Sequence, residues 1–491
     1  MIPTAAASGE EVKMARKALN RANLVALGSD TLADLLLETV KGDAARQRRV
    51  RMALSADQGL EAIRADVLKR FSSIRRGRSF LSRKAQKKLA QELADLTQLI
   101  ETRIAPDAPD TAFDLLWTQL HLAAGIHERT DDSWGTIGDV MGDAMAAIAR
   151  LAPRLSKAPK ALAEDIFEAI SEDGYGAFDD AVPSLAEALG ATGLARLRTL
   201  AEAARDAPLT EADHARYDFI PDDDARAERA LAGRSLTANM ILRDVADAEG
   251  DVDSWLAQYT PEQLTYVTIA PSAATRLLEA GRPEEALRLV EAVRPRDKSD
   301  PWNDTPELDE ARFACLEALG RTDELRAALW HRFERHLCPA ALRRHLSLLP
   351  DFDDIEAEEA ARRLVLAHEP VEQALVYCLE APDLPLAANL IDARSDEIDG
   401  DAYEILTPLA DALAPGHPLA AVLLWRSMID FALDRARSGR YGHAARHLTS
   451  CATADAEIED YGPHPPHADY LNSLRQAHPR KTAFWQRVRA E

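Results

Sequence analysis

The stretch AATRLLEAGRPEEALRLVEAV, residues 273–293, decides how this chain folds. Apolar residues follow one helical face up to Ala280, and a second apolar stripe over residues 286–290 follows the break at Gly281. Glycine suits the left-handed residue that closes a helix, and Pro283 falls in the first turn of the next helix, where its missing N–H is harmless. The stretch therefore predicts a hairpin of two helices joined by a tight turn.

This hairpin pattern recurs along the chain. The turn LGRTDEL at residues 319–325 echoes AGRPEEA at residues 280–286, at a spacing of 39 residues. The pattern resembles a tetratricopeptide-type repeat, in which Gly281 and Ala286 are the matching positions. A single helix pair in any α-protein would look similar, so that alternative stays open. The recurrence predicts an all-α fold, an α-solenoid of helical hairpins that is TPR-like in its C-terminal part.

The N-terminal half shows a second kind of repeat. Residues 111–204 read as paired helices with two similar loops, RTDDSWGTIG at 129–138 and SEDGYGAFDD at 171–180. Each loop follows an apolar helix and contains Asp, Gly and one or two aromatic residues, which indicates HEAT-like helix pairs. The run LTYVTIA at residues 264–270 is the single strand-like segment and is predicted as a short strand.

Charge and composition divide the chain into three predicted regions. Residues 1–104 carry 20 Lys or Arg against 12 Asp or Glu, whereas the remainder carries 39 against 70. We predict a basic N-terminal helical region at 1–104, HEAT-like helix pairs at 105–220 and TPR-like repeats with a C-terminal cap at 225–491. The acidic run at residues 222–224 marks the second boundary.

Composition also excludes several classes of protein. The net charge of −23 repels nucleic acid and anionic membranes on average. Four scattered cysteines without CxxC spacing favour free thiols in a reducing compartment. No apolar signal segment or membrane span is present in the sequence, so we predict a cytoplasmic protein. No phosphate-binding loop, HExxH motif, nucleophile elbow or Rossmann fingerprint occurs, which predicts a non-enzyme without a cofactor.

Seven basic residues are concentrated between residues 75 and 88. Arg83 with Lys87, and Lys84 with Lys88, are four residues apart and share one helical face. Such a face would bind the phosphates of nucleic acid or an acidic partner; the alternative is a solvated face, or one that docks on the acidic remainder of the chain. No interleaved aromatic residues, RNA-binding signature or Cys–His finger supports nucleic acid. The seven residues are Arg75, Arg76, Arg78, Arg83, Lys84, Lys87 and Lys88.

The C-terminal region contains the one metal-like pattern in the sequence. His443, His447 and Cys451 are spaced at i, i+4 and i+8, which places them along one face of a helix. Imidazole and thiolate are natural zinc ligands, so we predict these three residues as candidate metal ligands. The alternative is that the histidines line a repeat interface and pack against the C-terminal tail, where His464, His467 and His478 follow.

Several stretches resemble an uncharacterised bacterial family that is known only as a domain of unknown function. They include ALNRANLVALG, SIRRGRSF, HERTDDSWGTIGDV, EDGYGAFDD and the ending GRYGHAARHLTSC…DYGPHPPHADYLNSLRQAHPRKTAFW. The C-terminal half is also similar to the TPR-like helical tail of bacterial SWIM zinc-finger proteins, and the matching residues are Leu474, Arg475, His478, Arg480 and Lys481. The Cys-x-Cys…Cys-x-His finger is missing, so the resemblance does not imply DNA binding.

These observations lead to three hypotheses for the function. The first is a non-enzymatic helical-repeat scaffold that binds an unidentified protein partner, since stacked hairpins offer extended surfaces without a catalytic pocket. The alternative is a nucleic-acid-associated or regulatory protein that binds through its basic N-terminal helices. The third is a metal enzyme that uses the C-terminal His and Cys residues.

Overall fold

The computed structural model of the chain describes residues 19–57, 59–293 and 305–489. Within these ranges every regular element is a helix and no strand occurs, so the predicted all-α fold is confirmed. The helices fall into two compact units, Met1–Thr260 and Pro261–Glu491. The three regions predicted from composition stay a prediction. None of the described helices combines the length and the apolar character that crossing a bilayer requires.

The described helices of the first unit range in length from 5 to 27 residues. A π-helical segment, Ile100–Ile104, extends α5. The helices of the described residues are α1 (Arg21–Val25), α2 (Ser29–Val40), α3 (Ala44–Asp57), α4 (Leu60–Arg75), α5 (Arg83–Leu99), α6 (Pro109–Leu120), α7 (Ala123–His127), α8 (Thr136–Leu151), α9 (Pro159–Glu172), α10 (Ala181–Asp206), α11 (Glu211–Ala215), α12 (Asp223–Glu249) and α13 (Val252–Leu256).

Apolar helix faces build one continuous core in the first unit, which runs from Ile63 to Val245. Aromatic rings fill part of it: Trp117 stacks on Phe113 with ring centroids 5.2 Å apart and meets Phe178 edge-on at 4.8 Å. α10 breaks at Gly190, whose φ of 50° is non-helical. Gly190 therefore separates two helical stretches within the range of α10.

The described residues of the second unit form a series of helices, several of which follow one another after short turns. Several helices begin with a proline in their first turn, where no intrahelical N–H bond is lost. The helices of the described residues are α14 (Ala270–Glu279), α15 (Pro283–Glu291), α16 (Pro306–Ala318), α17 (Thr322–His336), α18 (Pro339–Ser347), α19 (Asp353–Ala367), α20 (Val371–Glu380), α21 (Leu384–Arg394), α22 (Tyr403–Leu413), α23 (Pro418–Asp434), α24 (Tyr441–Ala454), α25 (His467–Ala477) and α26 (Thr482–Val488).

The hairpin predicted around Gly281 is present. Gly281 has a φ of +72°, its N–H donates to the Leu278 carbonyl at 2.9 Å, and the Arg282 N–H donates to the Leu277 carbonyl at 2.8 Å. This pair of bonds is the Schellman closure, which satisfies carbonyls that the end of α14 would otherwise leave without a partner. Gly320, at φ +65°, closes α16 with the same two bonds.

The predicted strand at residues 264–270 is wrong. The Gln263–Thr265 segment is a 3-10 turn, and the chain enters α14 at Ala270 without pairing with another extended segment in the described residues. β-branched residues favour a strand only where a neighbouring strand can accept the backbone hydrogen bonds. A single short run in an all-helical surrounding has no such neighbour.

Candidate functional site

The seven basic residues predicted from the sequence form one exposed run in the first unit, which we call the basic surface. It comprises the end of α4, the loop after it and the first two turns of α5. All seven side chains are exposed, and none of them forms an ion pair with another described residue. The residues are Arg75, Arg76, Arg78, Arg83, Lys84, Lys87 and Lys88.

The amphipathic pattern of α5 determines which way the basic surface faces. Leu89, Leu93 and Leu96 are buried in the core, so residues on the opposite side of the helix face solvent. Ser82 is the N-cap, and its side chain accepts the backbone N–H of Ala85 at 3.4 Å. The helix therefore starts at Arg83 and presents the predicted pairs of basic residues on its exposed side.

Basic residues lie at the end of α5 where helix electrostatics disfavour them. The N-terminus of a helix carries a partial positive charge, so acidic residues stabilise the first turn. α5 has no acidic residue in its first turn and instead begins with Arg83 and Lys84. The positive charges and the helix dipole together create one region of positive potential. An anion bound there would stabilise the first turn of α5.

A neighbouring loop places an aromatic residue against the basic surface. The Leu81 N–H donates to the Arg129 carbonyl at 2.8 Å, which joins the loop before α8 to the start of α5. Asp132 accepts the backbone N–H of Ile137 at 3.0 Å and also the side chain of Gln86. These bonds hold the loop in place, as its Asp and Gly residues predict for turns and helix caps.

The loop brings Trp134 to Arg83, whose guanidinium carbon lies 4.8 Å from the indole centroid. Trp134 is 74% exposed and Phe80 is 69% exposed, so two large apolar rings lie open beside the cations. The prediction that no aromatic residue is interleaved with the basic run was wrong, because Phe80 lies within it between Arg78 and Arg83. Trp134 was missed because it is about fifty residues away along the chain, and only tertiary contacts bring the two together.

The three predicted metal ligands lie on α24. His443 and His447 border a cavity of 220 Å³, whereas Cys451 is buried elsewhere, with its Sγ 3.9 Å from the Val422 carbonyl oxygen. Because a helix rises about 1.5 Å per residue, residues eight apart are separated by about 12 Å along the axis. His443 and His447 therefore border one cavity, which Cys451 does not line, although Cys451 lies only about 6 Å along the helix axis from His447.

Burial holds both His447 and Cys451 in their neutral forms. Burial, together with the positive charges of His443 and Arg446, lowers the pKa of His447 to about 4. Burial raises the pKa of the Cys451 thiol to about 12, so the thiolate that zinc requires is disfavoured. In the described parts of the chain no three His, Cys, Asp or Glu side chains are placed to hold one ion. Zinc binding by this group stays a prediction.

Two further histidines of the C-terminal window lie within hydrogen-bonding distance of aspartates. Nε2 of His464 lies 3.1 Å from Oδ1 of Asp392, and Nε2 of His478 lies 3.2 Å from Oδ1 of Asp434. The sequence indicated only that histidines are concentrated here, whereas the two aspartates lie 72 and 44 positions earlier in the chain. These contacts favour a packing role for the two histidines.

A buried polar cluster in the second unit was not predicted from the sequence. Arg426 is 5% exposed and its Nη1 donates to the Pro465 carbonyl at 2.7 Å. Asp430, one turn further along α23, accepts the Tyr470 hydroxyl at 2.7 Å. A signal was available: two charged residues four apart interrupt the otherwise apolar run VLLWRSMIDFAL, which indicates a polar contact inside the core.

Comparison with known families identifies one match. Residues 14–487 match the family of unknown function DUF6880, which confirms the predicted resemblance to a domain of unknown function. No curated protein matches the chain.

Two solved structures share only a weak likeness with the chain. A homology model of the full-length AP-3 complex in an intermediate open conformation has a TM-score of 0.19 at 12% identity, over 98% of this chain and 88% of the other. A circular tandem repeat protein with a novel repeat topology has a TM-score of 0.15 at 13% identity, over 94% and 95%. Neither likeness is close enough to carry a structural or functional argument.

Proposed function

Because this chain belongs to the DUF6880 family of unknown function, we propose a role for it from its own surfaces. It is a non-enzymatic helical-repeat scaffold that binds an acidic protein segment at the basic surface. The observation that carries the proposal is a run of seven exposed cations that lack ion pairs with the described residues, in a chain whose net charge is −23.

The repeat architecture of the proposal rests on the shared hairpin turns. α14 with α15, and α16 with α17, are consecutive helices closed by the same glycine-centred bonds. In the first unit α9 packs on α10, which packs on α12. Consecutive packed helices of this kind support a TPR-like C-terminal part and a HEAT-like N-terminal part, which expose long helical surfaces to partners.

Charge distribution favours a short acidic protein segment over a long polyanion. Outside residues 1–104 the chain carries 70 acidic against 39 basic residues, which would repel a nucleic acid that extends past the basic surface. A short acidic peptide would remain within about a Debye length of the basic residues, roughly 8 Å at physiological salt. Phe80 and Trp134 would supply apolar contact for leucine or phenylalanine side chains of the same peptide.

Fluorescence anisotropy tests this proposal with a labelled peptide of glutamates interspersed with leucine and phenylalanine. The wild-type chain should bind the peptide, and its affinity should fall as salt is raised. The combined variant Lys84→Glu, Lys87→Glu and Lys88→Glu should lose binding. The matched control reverses three other exposed cations, Lys160, Arg229 and Arg435, and should retain it. Equal loss in both variants, or no binding by the wild type, contradicts the proposal.

The same variants decide whether a natural partner uses this surface. Affinity purification from the native host should recover a protein at equal stoichiometry with the wild type and with the control. The basic-surface variant should not recover that protein. Recovery of the same protein by all three forms would place its binding elsewhere on the chain.

One observation favours nucleic acid as a second candidate partner. The exposed Trp134 ring, with Arg83 held above it, offers a stacking position of the kind that single-stranded nucleic acids use. Oligothymidylate in the anisotropy assay tests it: binding should weaken steeply with salt, and Trp134→Ala should weaken it further. Binding of the peptide but not of oligothymidylate would rule out this candidate.

Three finer assignments complete the proposal. The chain resides in the cytoplasm, and its C-terminal helices are of the type found behind SWIM zinc fingers. The composition-based regions 1–104, 105–220 and 225–491 correspond to separate functional parts. Zinc held by His443, His447 and Cys451 is tested by elemental analysis of the purified protein. Absence of stoichiometric zinc, iron or manganese would end both the metal site and the metal-enzyme hypothesis.

A further inference from the structure

A cleft with a volume of 480 Å³ lies among α3, α4 and α5 of the first unit, on the side where Lys88 emerges. This volume is within the range of small-molecule binding pockets, about 300–1,000 Å³. Four basic and two acidic side chains line the cleft: Arg48, Arg70, Lys88, Arg129, Asp43 and Glu92. The charged groups of the wall therefore carry an excess of two positive charges.

One carboxylate holds two arginines in place at the floor of the cleft. Glu92 accepts Nε of Arg48 at 2.8 Å and Nη2 at 3.1 Å, and it accepts Nε and Nη2 of Arg70 at 2.7 Å each. Burial disfavours the charged carboxylate, but the hydrogen bonds and charges of Arg70 and Arg48 outweigh burial and lower the pKa of Glu92. The carboxylate is therefore ionised and compensates only one of the two guanidinium charges.

The remaining basic groups of the cleft are either held by backbone carbonyls, as Arg129 is, or have donors that do not bond to Glu92. Arg129 is directed by the carbonyls of Gly125, Ser79 and Ile74, to which its three guanidinium nitrogens donate at 3.1 to 3.4 Å. Lys88 is exposed at the rim and forms no ion pair within the described residues. Arg48 uses Nε and Nη2 on Glu92, so its Nη1 is not committed to that carboxylate.

We propose that this cleft binds the phosphate group of a small phosphorylated molecule, between Arg48 and Lys88. A phosphate monoester carries a charge of about −1.5 to −2 at neutral pH, which matches the excess positive charge of the wall. The planar guanidinium suits phosphate oxygens, and the rigid floor removes part of the ordering cost of binding. The site shares Lys88 with the basic surface but does not depend on the scaffold proposal.

Isothermal titration calorimetry of the full chain at low salt tests the site, with pyrophosphate and inorganic phosphate as separate probes. The wild type should bind one pyrophosphate per chain in a saturable manner. Lys88→Met should weaken binding about tenfold, the usual worth of one charge-assisted hydrogen bond. Because Lys88 is exposed and lacks an ion pair with any described residue, this variant should fold as the wild type does, which circular dichroism checks.

Two comparisons make the test decisive. Lys160→Met removes an exposed lysine outside the cleft and should change the affinity by less than about twofold, since only screened long-range charge is lost. Arg48→Lys keeps the charge but not the guanidinium fork, and should weaken binding by about tenfold. No saturable pyrophosphate binding, equal loss in the Lys160 and Lys88 variants, or binding of oligothymidylate alone would overturn the proposal.

Discussion

The guanidinium carbon of Arg426 lies 4.5 Å from the ring centroid of Tyr470, inside the core of the second unit. Tyr470 belongs to α25, and Arg426 to α23, so the contact fastens a C-terminal helix to the helices before it. The ring of Tyr461 lies 5.3 Å from the same guanidinium carbon. A buried cation is thus accommodated mainly by aromatic faces and one backbone carbonyl.

Shortening this arginine should destabilise the second unit. Arg426→Ala removes the bond to Pro465 and leaves a cavity between Tyr461 and Tyr470, which should lower the free energy of unfolding by about 3 kcal/mol. Arg426→Met retains most of the volume and should cost less. Urea unfolding measures both, and the exposed Arg435→Ala is the control. An alanine variant as stable as the wild type would show that the guanidinium contributes nothing to the packing.

Asp430 should make the stability depend on pH. Burial raises its pKa from 3.8 to about 6, despite the hydrogen bond from Tyr470. The folded state therefore binds the proton more tightly than the unfolded state. The resulting stabilisation is complete below about pH 4 and is lost as the pH rises through about 6, a change of about 3 kcal/mol.

Comparison with Asp430→Asn isolates this effect from other titrating groups. The asparagine variant lacks the charge, so its stability relative to the wild type should increase between pH 4 and pH 7. Chemical unfolding at several pH values measures the difference. A constant difference across this range would mean that Asp430 ionises in the folded protein as readily as it does in water.

Lys84 should link stability to binding at the basic surface. As a cation in the first turn of α5 it opposes the helix dipole, so Lys84→Glu should raise the free energy of unfolding by about 0.5 kcal/mol at low salt. Lys84→Gln should give an intermediate value. The same substitutions should lower the affinity for the acidic peptide, and glutamate should lower it more than glutamine. Thermal unfolding and anisotropy on the same preparations test both, and a less stable glutamate variant would contradict the dipole argument.

Replacing Gly281 should lower the free energy of unfolding for reasons of backbone conformation alone. Its φ is +72° and a Cβ added there would meet no neighbouring atom within 4 Å, so Gly281→Ala should cost about 1 kcal/mol through strain without a steric clash. Gly142 also has free space but a helical backbone, so Gly142→Ala should stabilise α8 by up to about 1 kcal/mol. Urea unfolding should show that the free energy of unfolding falls in the Gly281 variant and rises in the Gly142 variant. A change of the same sign in both variants would contradict the strain argument.

Local patterns predicted the helices well because their causes are local. The turns at Gly281 and at Gly320 each depend on residues within one or two helical turns. The segment at residues 264–270 was mispredicted because β-branched residues satisfy a strand pattern locally. Whether a strand forms depends on a partner strand, which the local sequence does not specify.

The candidate sites show the same division. Exposure of the seven basic residues follows from the amphipathic pattern of α5, which the sequence contains in full. The approach of Trp134 to Arg83, and the sharing of Glu92 by Arg48 and Arg70, join residues that are 22 to about 50 positions apart. No periodicity in one sequence encodes such contacts.

By itself the sequence determined that this chain is helical, where several of its turns lie and which segment carries uncompensated positive charge. Helix periodicity and chain breaks act over a few residues, so their physical causes can be read in order along the chain. The tertiary structure alone decided that His443 and His447 line a cavity without Cys451, that Arg426 is buried and that a cleft opens beside Glu92. Burial and proximity between distant residues arise only when helix faces pack, because packing selects among many arrangements that satisfy the same local pattern.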